Sequence, residues 1–388
     1  MKRTRMALFF VIALIIYSLA NLYLYGKVYH ALPGLHGHNV LFPVIFFALA
    51  FIFIIAKILE SRHSSVLTDI LNVFGGFWLA LMLYGFIFFL ASDIIYLLLR
   101  ITRAINSPEN ILAYRKWTFA ITATLSAGLI IGGFINAVIP VVREYNITIN
   151  KNAGEIKDLK VAAVSDIHLG SIIRKRSISK LNSILDELKP DLVLLLGDIL
   201  DGEVGPVMRD DLLRYFTCPK STNGLLAITG NHEFIGGAAK TIPYIESKGI
   251  RLLQDEVVTL QGGIQFIGRK DRDSEYFYKK KRMTLQELVA MTDPSKPVIL
   301  LDHQPANLDD AAKSGVDLEL SGHTHNGQMW PLNHVTRLIW ELSYGYKKKG
   351  NTQYIVSSGY GLWGPRVRSG SRSEVLLLNI HFAGPATE

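Results

Sequence analysis

Five short polar stretches in the second half of this 388-residue chain carry side chains that bind metal ions and move protons. They are Asp166-Ile167-His168, Gly197-Asp198-Ile199-Leu200-Asp201, Gly230-Asn231-His232-Glu233, Asp302-His303 and Gly322-His323-Thr324-His325. Each follows an apolar run. Of the seven histidines beyond residue 146, five (His168, His232, His303, His323 and His325) fall at such ends, whereas His334 and His381 do not and read as structural. Neutral imidazole is the commonest protein ligand for a metal. Residues two apart at a strand end point to the same side, so His323 and His325 can face one point in space. Each stretch alone has a plain explanation: Gly-Asp is a common turn pair, and Asn-His-Glu can begin a helix. Five such stretches, each at the end of an apolar run, are not explained that way.

The donor set specifies a chemistry. Carboxylate, amide and imidazole groups suit Mn, Fe or Zn in a hydrolytic role. Cys218 is the only cysteine, so neither a thiolate cage nor an intrachain disulfide is available. Two such ions about 3.5–4 Å apart clamp the attacking and leaving oxygens of a phosphoryl displacement and deprotonate a shared water. One carboxylate must bridge them to offset their repulsion, and Asp198 is the expected bridge because it ends the most continuous apolar run.

The positioning elements read as an α/β domain. Lys160–Ser165 is a buried strand, Arg176–Lys189 has helical spacing, and Asp191–Leu196 is a strand apolar on both faces. In open α/β sheets ligands bind outside the carboxyl ends of the strands, where these polar residues lie. Further strands are predicted at 224–229, 251–260, 264–268 (a hairpin across Gly262-Gly263), 297–301, 316–320, 354–358 and 374–382. Helices are predicted near 284–291 and 307–313. The basic runs Lys279–Arg282 and Lys347–Lys349 read as solvated loops.

The first 145 residues differ in kind. They hold 11 Lys/Arg against 5 Asp/Glu, so most of the net charge of +8 belongs to loops that flank apolar runs, and no nucleic-acid footprint is indicated. Apolar runs at 6–25, 40–58, 70–99 and 117–142 predict about four membrane spans, the second entered from a His/Gly-rich loop. Gly128 and Gly132 permit close helix packing. Asp93 is expected at the interfacial end of the third span, with no other charge inside a span. The expected layout is a membrane domain at 1–145, a polar connector at 146–159 and a catalytic domain at 160–388, in a multi-pass protein of the cell membrane. Charge near Lys2, Arg3, Arg5, Lys57 and Arg62 favours a cytoplasmic catalytic domain. Arg100, Arg103, Arg115 and Lys116 weigh against it, and the two sides nearly balance.

The ordered series Asp-x-His, Gly-Asp-x-x-Asp, Gly-Asn-His-Glu, His, Gly-His-x-His resembles the calcineurin-like metallophosphoesterases over residues 160–382. Gly322–Gln328 and Ser358–Pro365 are similar to a bacterial membrane-associated branch. That branch includes envelope-linked phosphoesterases and enzymes that cleave the pyrophosphate of a nucleotide-linked lipid A precursor. The resemblance implies a four-layer α/β (α+β) fold, two packed mixed sheets flanked by helices, here preceded by an all-α membrane domain. It implies two divalent ions, one held by Asp166, His168 and His325, the other by Asn231, His303 and His323, with Asp198 bridging. His232 becomes the general acid at the phosphate, and Asp201 and Glu233 orient the groups around it. The branch often has Gly where Asn326 stands, which bears on loop shape alone.

The expected activity is hydrolysis of a phosphomonoester or phosphodiester by a metal-bridging hydroxide, on a substrate that is lipid-linked or an envelope precursor. A silent binding scaffold of the same fold is the alternative, and every ligand position being filled argues against it. A regulatory domain on a transporter is the other, and it lacks paired charges or broken helices in the spans. Trp363, Arg366 and Arg368 are further candidates for contact with substrate phosphate.

Overall fold

The computed structural model describes residues 2–34, 40–218, 221–279 and 281–384. Residues 35–39 of the His/Gly-rich loop and Lys280 of the basic run lie outside the described residues. The chain divides into two compact units, Met1–Leu59 with Ile70–Gly132, and Glu60–Asp69 with Gly133–Glu388.

The first unit holds most of four helices, α1 (Lys2–Ala31), α2 (Leu41–Arg62), α3 (Val66–Ile101) and α4 (Pro108–Val138). All four are long and apolar enough to cross a membrane. Large apolar side chains such as Ile16, Phe74 and Leu97 point outward, the reverse of a water-soluble bundle. Polar contacts tie the helices inside: Trp78 Nε1 donates to Asn21 Oδ1 at 2.9 Å, and Tyr23 Oη donates to Asp93 at 2.6 Å. Asp93 also pairs with Lys27. The expectation that Asp93 is the only charge inside a span is corrected here, because Lys27 lies within α1 and Lys57 within α2, both helices long and apolar enough to cross a membrane.

Among the described residues, the second unit is built mainly from the following strands and α-helices. In chain order they are β1 (Val141–Ile149), β2 (Asp158–Val164), α5 (Lys175–Leu188), β3 (Leu192–Leu196), α6 (Gly205–Asp210), β4 (Leu225–Ile228), α7 (Asn231–Ile235), α8 (Ala238–Glu246), β5 (Leu252–Leu253) and β6 (Glu256–Thr259). There follow β7 (Gln265–Gly268), α9 (Asp273–Tyr278), α10 (Leu285–Val289), β8 (Val298–Leu301), α11 (Leu308–Ser314), β9 (Leu318–Ser321), α12 (Leu332–Ile339), β10 (Gly345–Lys349), β11 (Thr352–Val356) and β12 (Glu374–Phe382). They form two six-stranded mixed sheets, ordered β1-β12-β2-β3-β4-β5 and β10-β11-β9-β8-β7-β6.

Strand alternation assigns the layers. In β3, Leu192, Leu194 and Leu196 join the core between the sheets with Phe266, Ile299, Leu320 and Ile355. Val193 and Leu195 point the other way, against Leu181 and Leu185 of α5. Behind the second sheet, Ile267 and Leu300 pack on Leu285 and Leu288 of α10 and Leu308 of α11. The order is helix, sheet, sheet, helix, as the resemblance implied.

Three local expectations differ. Residues 141–149, partly assigned to a polar connector, form an edge strand that pairs in parallel with β12 from Val141↔Glu374 to Ile149↔Phe382. Its half-solvated outer face made it read as polar. The single strand expected over 251–260 is two strands in different sheets. The Lys347–Lys349 run is strand β10, whose lysines reach Glu341 and Asp309 across the edge of the second sheet.

Leu194 is fully buried in the shared core. Leu194→Ala is expected to destabilise this unit by about 2–5 kcal/mol, read as a lowered Tm of the full chain in detergent; an unchanged Tm would contradict the packing described.

Candidate metal centre

The five polar stretches converge because the strands they follow are neighbours. The loops after β2, β3 and β4 leave the first sheet side by side, and backbone bonds stitch them: Asp166 N donates to Gly197 O at 3.1 Å and His168 N to Asp198 O at 2.9 Å. From the second sheet, the loop after β8 brings His303 and the loop after β9 brings His323 and His325. Gly322 N donates to His303 O at 2.9 Å.

Glycines set how closely these loops approach. A Cβ on Gly230 would collide with Asp198 Oδ1, and one on Gly322 would collide with Ser165 and Asp166. The ligand loops are themselves conformationally tight. Asp166, His168, Asp198, His323 and His325 all take left-handed backbone, with φ of 54°, 50°, 51°, 69° and 49°. Non-glycine residues are held there only by surrounding structure, and such strain concentrates at functional sites. Asn326, at φ 47°, continues the left-handed run, which explains why glycine suits this position and why asparagine tolerates it.

Three donor groups overlap: Asp166, His168 and His325; His168, Asp198 and His232; and Asp198, His303 and His323. Within each, one ligand atom per residue lies within 4.8 Å of the others. Asp198 Oδ2 is 3.2 Å from His303 Nε2 and 3.7 Å from His168 Nε2. His325 Nε2 is 3.3 Å from Asp166 Oδ1 and 3.0 Å from His168 Nε2. Asn231 Oδ1 is 3.0 Å from His323 Nδ1.

The surroundings aim these atoms inward. His303 Nδ1 lies 2.7 Å from Leu196 O, to which it donates, and His303 Nε2 is buried without a hydrogen-bond partner. Arg368 is fully buried, its Nη2 3.0 Å from His325 Nδ1 and its Nη1 donating to Ser358 O at 2.8 Å. Arg368 closes off the Nδ1 edge of His325, and Nε2 faces the cluster beside Asp166 and His168. A buried imidazole nitrogen with no hydrogen-bond partner, beside buried carboxylates, fits a pair of divalent ions. Glu233 is the brace: Oε2 accepts from Asp198 N at 3.1 Å and Gly230 N at 2.7 Å, and Oε1 accepts from Leu200 N at 3.0 Å.

Charge at the site is strongly coupled. Burial alone would raise Asp166 and Asp198, but the neighbouring histidines outweigh it and hold both well below the usual carboxylate range. Burial pushes His323 and His325 down to about 4, with His303 acting on the first and His168 and Arg368 on the second, so both offer lone pairs at neutral pH. His232 is the exception. Burial would lower it, yet Asp198, Asp201 and Glu233 raise it to about 9. Its Nδ1 is 3.1 Å from Asp201 Oδ1 and 3.0 Å from Gly202 N, and the ring lines the cleft. Burial and the charge of Asp198 raise Glu233 to about 7.

A cleft of about 470 Å³ opens over the cluster, lined by Asn231, His232 and His323 on one side and by Leu332, Val335, Trp340 and Trp363 on the other. The sequence reading missed the α12 wall, although Leu332, Val335, Leu338 and Ile339 carry helical spacing. It named Arg368 as a substrate contact, whereas Arg368 is sealed behind His325. Arg366 lines a different cavity, and Trp363 alone of the three reaches the cleft.

The family model for calcineurin-like phosphoesterase matches residues 159–327. An uncharacterized metallophosphoesterase of Aquifex aeolicus is 31% identical over 58% of this chain and 87% of its own length. One of Campylobacter jejuni is 28% identical over 96% of this chain and 98% of its own. A Bos taurus relative, 28% identical over 73% of this chain and 67% of its own, is named a transmembrane protein with metallophosphoesterase domain. The chain spans about 60% of the length of two Helicobacter pylori relatives, at 34% and 33% identity.

Two measurements test this geometry. Asp198→Asn is expected to lower bound Mn from about two ions per chain to one or fewer, by elemental analysis; two retained ions would rule out Asp198 as the shared ligand. In the metal-free chain, a His232 pKa raised from 6.5 to about 9 stabilises the fold fully below pH 6.5, and that contribution is lost as pH rises to 9. Tm should therefore fall over that interval, with His232→Gln removing a share on the order of 2 kcal/mol. An equal fall in the variant would show that His232 is not the group responsible.

Proposed function

This chain belongs to the calcineurin-like metallophosphoesterases, and we propose that it is a membrane-anchored hydrolase that uses two divalent metal ions to cleave a phosphoester bond in an amphiphilic, lipid-linked substrate. The observation that carries the reading is the position of Asp198, common to two of the three donor groups, with His303 and His323 on one side and His168 on the other. Asp166, His168 and His325 would hold one ion and Asn231, His303 and His323 the second, with Asp198 between. Mn, Fe and Zn all suit this donor set. Bound divalent ions supply Lewis acidity and a water deprotonated near neutral pH.

The protein's own groups do the rest. His232 is protonated at neutral pH and faces the cleft, placed to give its proton to the leaving oxygen as general acid. Asp201, 3.1 Å from His232 Nδ1, fixes the ring's orientation, and Glu233 holds the Asp198 loop against Gly230. These two act by positioning.

The cleft's other wall supports the substrate class. On that wall Val335 and Trp363 leave 46% and 51% of their surface exposed beside the polar centre, and Leu338 and Ile339 at the end of α12 are also exposed. An apolar rim next to a phosphate site favours a substrate with an apolar group attached near its phosphoester. Multi-pass anchoring belongs to the same reading. The turn between α2 and α3 lies in the catalytic unit, where Arg209 Nη1 donates to Ser64 Oγ at 2.9 Å, and the end of α4 lies there too. The α2–α3 turn and the end of α4 both lie in that unit, as an even number of crossings between them requires, in keeping with four.

Hydrolysis of bis-p-nitrophenyl phosphate by the full chain in detergent is expected to require added Mn²⁺ and to stop on chelation. His232→Ala should lower kcat by about 10²–10⁴ on substrates with poor leaving groups and much less on a nitrophenyl ester. Equal losses on both would remove the general-acid role. Comparison of a lipid-linked with a soluble phosphodiester tests the substrate class, and equal or faster turnover of the soluble ester would overturn it.

A further inference from the structure

A second cavity of about 530 Å³ lies in the catalytic unit, and it shares no lining residue with the cleft over the histidines. One wall is apolar, with Phe134 and Val138 from the last turns of α4 and Ile172 from the loop after β2. The other carries Arg176, Lys180 and Arg366, and no Asp or Glu lines the cavity. Arg174 at its edge is already neutralised by Asp69 and Asp210. The other three cations have no carboxylate partner among the described residues. Arg366 is the most exacting of them. It is partly buried, its Nε has no hydrogen-bond partner, and its guanidinium sits 5.6 Å from the Phe134 ring centroid. Burial and the charge of Arg176 both push its pKa down. Arg176 and Lys180 are exposed, and Lys180 Nζ also donates to Val138 O at 2.9 Å; Arg366, partly withdrawn from water beside Arg176 with no carboxylate against it, is the cation that an entering anion would offset.

The cavity's location says which anion. The loop that carries Arg366 is bonded to the end of α4: Arg368 N donates to Gly133 O at 2.8 Å, Ser373 N to Asn136 O at 3.2 Å and Arg372 Nε to Ile139 O at 3.2 Å. α4 is long and apolar enough to cross a membrane. A pocket built on the last turns of a span opens at the depth of lipid headgroups, where phosphate lies above acyl chain. We infer that this cavity seats an anionic glycerophospholipid, its headgroup phosphate among Arg176, Lys180 and Arg366 and the first part of its acyl chains along Phe134, Val138 and Ile172. The assignment rests on reading α4 as a span and is independent of which ester the metal centre cleaves. A lipid held there fixes the Arg366 loop against the membrane surface.

Native mass spectrometry of the full chain released from detergent tests this, with phosphatidylglycerol, phosphatidylcholine and inorganic phosphate as separate probes. Wild-type chain is expected to retain phosphatidylglycerol about tenfold over phosphatidylcholine, and Arg176→Gln with Arg366→Gln to lose that preference. Lys175→Gln, an exposed cation that stacks on Tyr215 outside the cavity, should leave it unchanged. Bound metal and Tm, matched across the variants, show that the fold is intact. No preference in wild type, an equal loss in Lys175→Gln, or complete displacement by inorganic phosphate at the lipid's concentration would each overturn the assignment. Alkaline carbonate extraction separates it from its premise: release of the chain from membranes removes both the span reading and the lipid seat. Retention without lipid preference removes the seat alone.

Discussion

A buried carboxylate among buried imidazoles is the constraint on which the structure turns. Asp198 is almost fully withdrawn from water, and a carboxylate there is untenable unless positive charge surrounds it. His303, His232 and His168 stand against it and lower its pKa, and each comes from a different loop. The requirement therefore reaches into both sheets. It needs three neighbouring parallel strands in the first sheet and two in the second, all ending at one edge, and the two six-stranded sheets supply that arrangement.

Close approach is the second demand. Loops carrying charged ligands cannot draw together if side chains stand between them, and Gly230 and Gly322 remove those side chains where the loops touch. Left-handed backbone at five of the candidate ligands is the conformational cost of the same convergence, and the dense core between the sheets, from Leu194 to Ile355, holds it in place. Glu233 adds a polar brace by accepting backbone protons from the loops after β3 and β4. Stability in the core and strain at the site are thus two sides of one arrangement.

The catalytic unit also includes the ends of the apolar helices. Arg174 and Arg209 reach Asp69 at the start of α3, and the loop from Gly359 to Ser373 is bonded to the end of α4. That loop supports His325 through Arg368 and presents Trp363 to the cleft. One segment therefore links the metal cluster, the apolar rim and the last turns of α4.

Much of this was legible in the sequence because it is local. Apolar runs capped by Asp, Asn and His mark strands and their carboxyl ends, and runs of about 20 apolar residues mark helices long enough to cross a membrane, whatever the rest of the chain does. The motif order further implied the fold and the grouping of ligands. Tertiary structure alone decided what depends on residues distant in the chain. β1 read as a connector because half of its surface is solvated, and its partner β12 lies more than two hundred residues away. The lysines of β10 read as a loop because an edge strand keeps its charges in water. Arg368 read as a substrate contact because nothing local says that a cation is buried behind His325. Periodicity records which face of an element meets the core; it carries no record of which distant side chain completes a charge.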